Sequence, residues 1–292
     1  MRTETLMLAL LATGATARAQ TTRPLIRTGD TIIGLGGVER LDQVQVTNDG
    51  VWTALVDSDH PDASRDVALV RNGFVTLREG TTLFAPPNAR LRDFDSIHMA
   101  ESGHLALCLR VTTPAALALA SGYWNTVPLA LRDTLLLSPA VGPGTDWETF
   151  DLAKLNRANE VFVIGDVNNP ANGAGRDAPL CKFTLDGAGS VLATEVLLTK
   201  GQFLPALESN VSSLSRLAHA LSVNERGDWF VLVRAVGTNA LVLNGTEVVA
   251  QEGSPAPVPG RIWDDLTDTP RVWLDDRGGY VHSGSLGGID GA

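Results

Sequence analysis

The segment Val46-Thr-Asn-Asp-Gly-Val-Trp-Thr-Ala-Leu55 recurs later in the chain as Val223-Asn-Glu-Arg-Gly-Asp-Trp-Phe-Val-Leu232. Both copies contain a turn that ends on glycine, followed by a strand-like run with a tryptophan. Weaker copies bring the turn-closing residues to five: Gly50, Gly103, Asn159, Gly227 and Gly278. Glycine and asparagine tolerate the positive φ that a tight chain reversal requires. The pattern therefore predicts one hairpin in each copy.

A second hairpin follows the first at a matching distance. It is clearest in Val67–Gly80, where Asn72-Gly73 joins two alternating apolar runs, and again in Ala240–Gly253 around Asn244-Gly245. An Asn-Gly pair between such runs is the strongest short-range hairpin signal. The remaining full copies are weaker and lie at 128–137 and 180–193. Each unit therefore reads as four antiparallel strands.

The repeat decides the fold class. The turn-closing residues lie 53, 56, 68 and 51 residues apart, which is the spacing of propeller blades. We predict an all-β, β-propeller-like fold of about five four-stranded antiparallel blades, the last incomplete, in a single domain over 20–292. The units span roughly 38–88, 89–146, 147–209, 210–262 and 263–292. A linear stack of β-units is the alternative, and it predicts polar capping units at both ends.

The two ends of the repeat favour a closed ring. Pro24-Leu-Ile-Arg-Thr-Gly29 resembles the last strand of a unit, as in Thr76-Leu-Arg-Glu-Gly80. We therefore expect 24–29 to act as a closing strand, which completes a final blade whose other strands come from the C-terminal part. The fifth unit stops at Ala292 without its second hairpin, and we favour truncation over an incomplete blade.

Residues 1–19 have the pattern of a signal peptide. The apolar run Leu6–Ala12 is too short to span a bilayer, and Ala17-Arg-Ala19 predicts cleavage before Gln20. We expect a secreted or cell-surface protein, without membrane insertion. Arginine greatly outnumbers the three lysines, Lys154, Lys182 and Lys200, which is typical of a GC-rich bacterial genome.

The charge limits the partners, and the cysteines leave two readings open. A net charge of −10 disfavours nucleic acid, because an acidic surface repels phosphate. Cys108 and Cys181 can pair in an exported protein, but both lie in apolar strand-like runs, where cysteine often serves as a small buried side chain.

The turn motif carries a family resemblance. Asn224-Glu-Arg-Gly227, its shorter form Asn48-Asp-Gly50 and the later Asn-Gly hairpins resemble the bacterial secreted tandem-repeat proteins named for an NxxGxxAF motif. The resemblance covers nearly all of the predicted mature chain. It implies an exported, propeller-like protein without an established enzymatic function, and it brings no catalytic residues.

Two loops at equivalent places carry the candidate metal ligands. They are rich in Asp and Asn, whose oxygens suit calcium. The candidate ligands are Asp57, Asp59 and Asp62 in the first loop, and Asp166, Asn168 and Asn172 in the second. The same residue types also make up ordinary long turns, so the composition fits both readings.

The aromatic residues divide into core and rim candidates. Trp52 and Trp229 occupy equivalent strand positions, so we expect them in the core. Tyr123, Trp124 and Trp263 are candidates for stacking on a sugar or a peptide at the rim of the ring.

No catalytic constellation stands out, and none of the five histidines falls in a recognised metal spacing. The leading hypothesis is a secreted, non-enzymatic β-propeller that binds a protein or carbohydrate ligand as a monomer, with calcium as the one candidate cofactor. The alternative is an extracellular propeller hydrolase or lyase that acts on polysaccharide through acidic residues from several blades.

Overall fold

The structure is a computed structural model that describes residues 25–83, 89–112, 116–122, 125–131, 136, 141, 143–168, 176–217, 219–267 and 271–288. Throughout these ranges the chain forms antiparallel β-sheets, with one short 3-10 turn at Pro205–Leu207 and no α-helix. The prediction of an all-β fold is confirmed. The same residues contain no helix with the length and hydrophobicity needed to cross a membrane.

The first two sheets are antiparallel meanders in chain order. The first contains β1 (Thr31–Ile32), β2 (Gly36–Val46), β3 (Trp52–Ser58), β4 (Val67–Arg71) and β5 (Phe74–Arg78). The second contains β6 (Leu91–Met99), β7 (Leu105–Val111), β8 (Ala116–Gly122) and β9 (Asn125–Leu131).

The third and fourth sheets repeat this plan with additions. The third contains β11 (Leu152–Leu155), β12 (Glu160–Ile164), β15 (Leu180–Leu185) and β16 (Val191–Leu198), beside a small sheet of β10 (Asp146–Trp147), β13 (Val167–Asn168) and β14 (Arg176–Asp177). The fourth contains β17 (Phe203–Leu204), β18 (Ser209–Leu214), β19 (Leu221–Val223), β20 (Trp229–Ala235), β21 (Thr238–Leu243) and β22 (Glu247–Gln251).

The fifth unit is described as one hairpin whose two arms are each split. Its strands are β23 (Arg261–Asp265), β24 (Val272–Leu274), β25 (Tyr280–His282) and β26 (Ser285–Gly288). β24 pairs with β25, and β23 pairs with β26. In the first four sheets, the order of a strand before the glycine turn, a strand after it and then a second hairpin is the predicted one. The predicted position of the second hairpin in the second unit, 128–137, is wrong, because β8 and β9 form that hairpin and residues 128–131 belong to its second arm.

The repeated turn owes its shape to two residues. All five predicted turn-closing residues have positive φ, from +60° at Asn159 to +86° at Gly227. Three residues before Gly227, the side-chain oxygen of Asn224 accepts the N–H groups of Arg226 and Asp228 at 3.0 and 2.9 Å. Asn156 and Asp275 bind their own turns in the same way. The Asn-x-x-Gly pattern is therefore a side-chain cap on a turn that needs a left-handed residue.

The middle strands are buried on both faces, which explains their nearly continuous apolar sequences. In β12, Val161 and Val163 pack into a cluster shared with the second sheet, whereas Phe162 and Ile164 pack into a cluster shared with the fourth. β7 and β20 alternate between two clusters in the same way. Since successive strand residues point to opposite faces, the second, third and fourth sheets are each packed between two neighbours.

The core prediction is confirmed for the two tryptophans, and the structure decides between the two readings of the cysteines. Trp52 and Trp229 are 8% and 6% exposed, as expected for core residues. Cys108 and Cys181 are buried free thiols in the single cluster between the second and third sheets. Burial raises the pKa of both thiols, which keeps them protonated and unreactive.

The segment before β1 has the position that the end of the first unit has before the second unit. Gly29 donates its N–H to the carbonyl of Val38 at 2.8 Å, and Gly80 makes the same bond to Leu91 at 2.9 Å before the second unit. Residues 25–28 lie outside the strands, so the pairing of 24–29 with the fifth unit stays a prediction.

Replacing a turn-closing glycine tests the turn. A Cβ at Gly50 meets no atom within 4 Å, so the cost of Gly50→Ala is backbone strain alone. We expect a loss of about 1–2 kcal/mol in the free energy of unfolding, measured by urea denaturation. Asn159→Gly is the matched control and should change the free energy by a few tenths of that value. An unchanged Gly50→Ala variant would contradict the account of the turn.

Candidate functional site

The first strands of the five units line one cavity of about 960 Å³. Its walls come from β2, β6, β11, β24 and the segment that contains β19. Contacts join β2 to β6, β6 to β11, β11 to β19 and β19 to β24, so the cavity lies where successive units meet. Its volume falls within the roughly 300–1,000 Å³ typical of small-molecule sites. This central cavity is the candidate site.

One position in every unit forms what we call the inner ring. It is the residue five places before the turn-closing residue, and all five copies line the cavity. The inner ring consists of Gln45, His98, Lys154, Ser222 and Trp273. Three of the five accept a hydrogen bond from the backbone of the next unit. The position therefore joins the units as well as facing the cavity.

In each of these three bonds, a side chain of the inner ring accepts a backbone N–H of the next unit. The Nδ1 atom of His98 accepts the N–H of Leu155 at 3.0 Å, and the Oγ atom of Ser222 accepts the N–H of Leu274 at 3.0 Å. The amide oxygen of Gln45 accepts the N–H of Met99 in the same way. β6, β11 and β24 have no strand partner on this side, so the side chains satisfy N–H groups that would otherwise be unpaired.

A second row of bonds lies two residues earlier in the first strands of the first and second units. The amide oxygen of Gln43 accepts the N–H of Ile97 at 3.2 Å, and the Oγ atom of Ser96 accepts the N–H of Ala153 at 3.0 Å. Both rows run from one unit to the next in chain order. These bonds therefore join the first wall to the second, the second to the third and the fourth to the fifth.

Lys154 is one of the two ring members, with Trp273, that cannot accept such a bond. A protonated amine has no lone pair, so it offers no acceptor to Val223 of the next unit. Within the described residues its side chain makes no hydrogen bond or ion pair. Burial lowers the pKa of Lys154 to about 8. The acidic residue that shares the cavity wall, Asp42, is paired with Arg40 at 3.2 Å.

Burial and the positive charge of Lys154 lower the pKa of both histidines in the cavity. Burial, and then the nearby Lys154, lower the pKa of His98 well below its usual value. The neutral ring accepts at Nδ1, so its proton lies on Nε2, which is left as a donor. The pKa of His219 is lowered by burial and by the positive charges of Lys154 and Arg271. This part of the cavity is locally positive in an acidic chain.

Trp273 is the aromatic member of the ring. It is 57% exposed, although it sits on a cavity wall. Its strand partner Val281 is 64% exposed on the same face of the β24–β25 pair. An exposed indole in a cavity offers a flat apolar surface for a ligand ring.

Carboxylates surround the turn end of the cavity, where a smaller pocket measures about 310 Å³. Glu101 accepts the N–H of Asn48 at 2.9 Å, and Asp276 accepts the N–H of Glu225 at 2.8 Å. Glu225 accepts the N–H groups of both Glu101 and Arg157. Glu101, Glu225 and Asp276 all lie two residues before a turn-closing residue, and Arg157 occupies that position in the third unit. Glu225 therefore accepts N–H groups from two other units. These carboxylates bind the turns together.

The structure does not gather the predicted calcium ligands of the first loop. Asp57 pairs with Arg40 at 3.4 Å, and Asp59 accepts the N–H of Gly37 at 2.7 Å. Asp62 accepts the N–H and the hydroxyl of Ser64. The three carboxylates therefore bind donors of the protein.

The second loop shows the same behaviour where it is described. Asp166 is bound to Arg216 at 2.6 Å, and Asn168 donates to Asp146 at 3.3 Å. Asn172 lies outside the described residues. Across the described ranges, no three His, Cys, Asp or Glu side chains are placed to hold a metal ion.

The predicted aromatic site falls largely outside the described side chains. Tyr123 and Trp124 are not described. Trp263 packs beside the cluster between the fourth and fifth sheets, and its ring lies 4.9 Å from that of His282. Trp263 is therefore partly buried by packing, and its role in stacking on a ligand stays a prediction.

The sequence carries a signal for the inner ring that motif searches do not use. Aligning the five turns puts a rare lysine, Lys154, in the same column as Gln45, His98, Ser222 and Trp273. Four of the five residues in this column are polar, which indicates a shared surface.

Comparisons with known proteins add little. No family model matches the sequence, and no curated protein matches it significantly. Among solved structures, one similar chain is PorZ of Porphyromonas gingivalis, described as an essential bacterial surface component of the type-IX secretion system. The TM-score is 0.37 at 11% identity, over 86% of this chain and 32% of PorZ. The chain spans about a third of that protein, and a likeness this low carries no argument.

Replacing Lys154 tests whether its buried charge lowers the free energy of unfolding. Its pKa lies at about 8 instead of the ordinary 10.5, so folding disfavours the charged amine. The cost is complete below pH 8 and fades as the pH rises towards 10.5. We expect Lys154→Met to raise the free energy of unfolding by roughly 1–3 kcal/mol at pH 7, and less at pH 9.5, in urea denaturation.

Lys182→Met is the matched control, because Lys182 pairs with Glu195 at 2.9 Å. It should not stabilise the protein at either pH. A destabilised Lys154→Met variant at pH 7 would show that Lys154 has a structural partner.

Proposed function

We propose that the chain is an exported, propeller-like binding module that takes a small ligand in its central cavity. The observation that carries this proposal is the cavity itself, which all five units line with their first strands. In a propeller, sheets pack face to face around an axis and one strand of each sheet lies nearest to it. The packing of the described sheets and the contacts between their first strands support that arrangement.

The chemistry of the walls favours binding over catalysis. The turn-end carboxylates Glu101, Glu225 and Asp276 are occupied by backbone N–H groups. The inner ring carries an amide, a hydroxyl, a neutral imidazole, an amine and an indole, which suit recognition of a ligand. Export rests on the predicted signal peptide at 1–19, which lies outside the described residues, and sequencing of the secreted protein should find Gln20 first.

A polysaccharide hydrolase or lyase is the second candidate, and one observation favours it. Burial raises the pKa of Asp151 to about 6. Arg216 lies 3.7 Å from this carboxyl and 2.6 Å from that of Asp166. Two carboxyls with different environments are the arrangement that glycosidases use for an acid and its partner. The same contacts equally tie the third sheet to the fourth.

Binding without turnover is the expected behaviour. We expect members of a panel of neutral and acidic oligosaccharides to bind the intact protein in microscale thermophoresis. Trp273→Ala should weaken that binding at least tenfold, because the indole lies on the cavity wall. Phe74→Ala is the matched control, since Phe74 is 74% exposed and belongs to β5.

Turnover distinguishes the two candidates. The binding module should release no reducing ends and no unsaturated uronates from any saccharide that it binds. Turnover that Asp151→Asn abolishes would establish the enzyme instead. If Trp273→Ala and the intact protein bind equally well, the ligand does not bind in the central cavity, and the proposal is contradicted.

A further inference from the structure

Lys154 is unusual in its setting. The protein carries a net charge of −10, yet this lysine faces the cavity without a counterion among the described residues. The other two lysines are paired, Lys182 with Glu195 and Lys200 with Asp177. A desolvated cation without a partner costs stability, and such a cost is typical of functional sites.

The groups around Lys154 complete a site for an anion. His98 is neutral and leaves its Nε2–H as a donor. Arg271 adds positive charge near His219 on the same side of the cavity. Asp42 is held by Arg40 and therefore does not neutralise the lysine. An amine and an N–H donor are what a carboxylate requires.

The ligand must also suit the rest of the ring. Lys154 and Trp273 hold the same ring position in the third and fifth units, with Ser222 of the fourth unit between them. The remaining ring members, Gln45 and Ser222, are polar and uncharged. A carboxylate beside a ring with hydroxyl groups matches this combination of cation, indole and neutral polar groups.

We propose that the central cavity binds an acidic sugar, whose carboxylate pairs with Lys154 and whose ring stacks on Trp273. This inference rests on the proposed binding function and specifies the ligand class for the same cavity. The first, second and fourth units use the ring residue to bind the next unit, whereas the third unit uses it to bind the ligand.

The chain permits a direct test, because it contains only three lysines. Reductive methylation with ¹³C-formaldehyde labels Lys154, Lys182 and Lys200, and Lys154→Met assigns the signal of Lys154 in NMR spectra. We expect galacturonate to shift the Lys154 signal saturably and to raise its titration midpoint from about 8 by one pH unit or more. The signals of Lys182 and Lys200 should not move, and galactose should leave all three unchanged.

Variants of the unlabelled protein complete the test. Lys154→Met should weaken galacturonate binding at least tenfold in isothermal titration calorimetry, whereas Lys154→Arg should stay within a few-fold of the intact protein. Melting curves confirm that each variant is folded. A Lys154 signal that ignores galacturonate, or that responds equally to galactose, overturns the inference.

The outcomes separate this inference from the binding function. A neutral oligosaccharide or a peptide that depends on Trp273 but leaves the Lys154 signal unmoved would support the binding module and overturn the acidic-sugar proposal. If no saccharide or peptide binds in a Trp273-dependent manner, both proposals are refuted.

Discussion

The end of each first strand has a β-partner on one side only, so its outward N–H groups need acceptors from elsewhere. In this protein the acceptors are side chains of the preceding unit, as with His98 for Leu155 and Ser222 for Leu274. Unpaired N–H groups away from water are costly, and an exposed strand edge invites unwanted pairing. These bonds join the first unit to the second, the second to the third and the fourth to the fifth. The third and fourth sheets are joined by their shared apolar cluster.

This constraint also explains how a structural position becomes a binding site. The inner-ring residue faces the cavity and the next unit at once, so its identity decides between the two roles. Glutamine, histidine and serine serve the neighbouring backbone. Lys154 and Trp273 cannot accept such a bond and are left to the cavity. The repeat thus supplies a rigid frame in which a single substitution per unit changes the surface presented to a ligand.

Much of the fold was predictable because it depends on local chemistry. Positive φ at Gly50 and Asn159, the hairpin at Asn72-Gly73 and the burial of Trp52 all follow from residue type and spacing. The site was less predictable, since composition does not say where an oxygen points: the loop carboxylates of Asp57 and Asp59 bind Arg40 and Gly37. The cysteines could be resolved only by their packing. Lys154 belongs to no motif, and its place in the cavity depends on residues more than fifty positions away in the chain.

Amide hydrogen exchange at Leu274 tests the coupling between units most directly. Its N–H donates to the hydroxyl of Ser222, a buried serine of the inner ring. Ser222→Ala should lower the protection of the Leu274 amide at least tenfold, because the removed hydroxyl is its acceptor. Ser212→Ala, which removes a hydroxyl that donates to the carbonyl of Arg234, should leave it unchanged. Full protection of Leu274 in Ser222→Ala would contradict the claim that side chains of one unit hold the edge of the next.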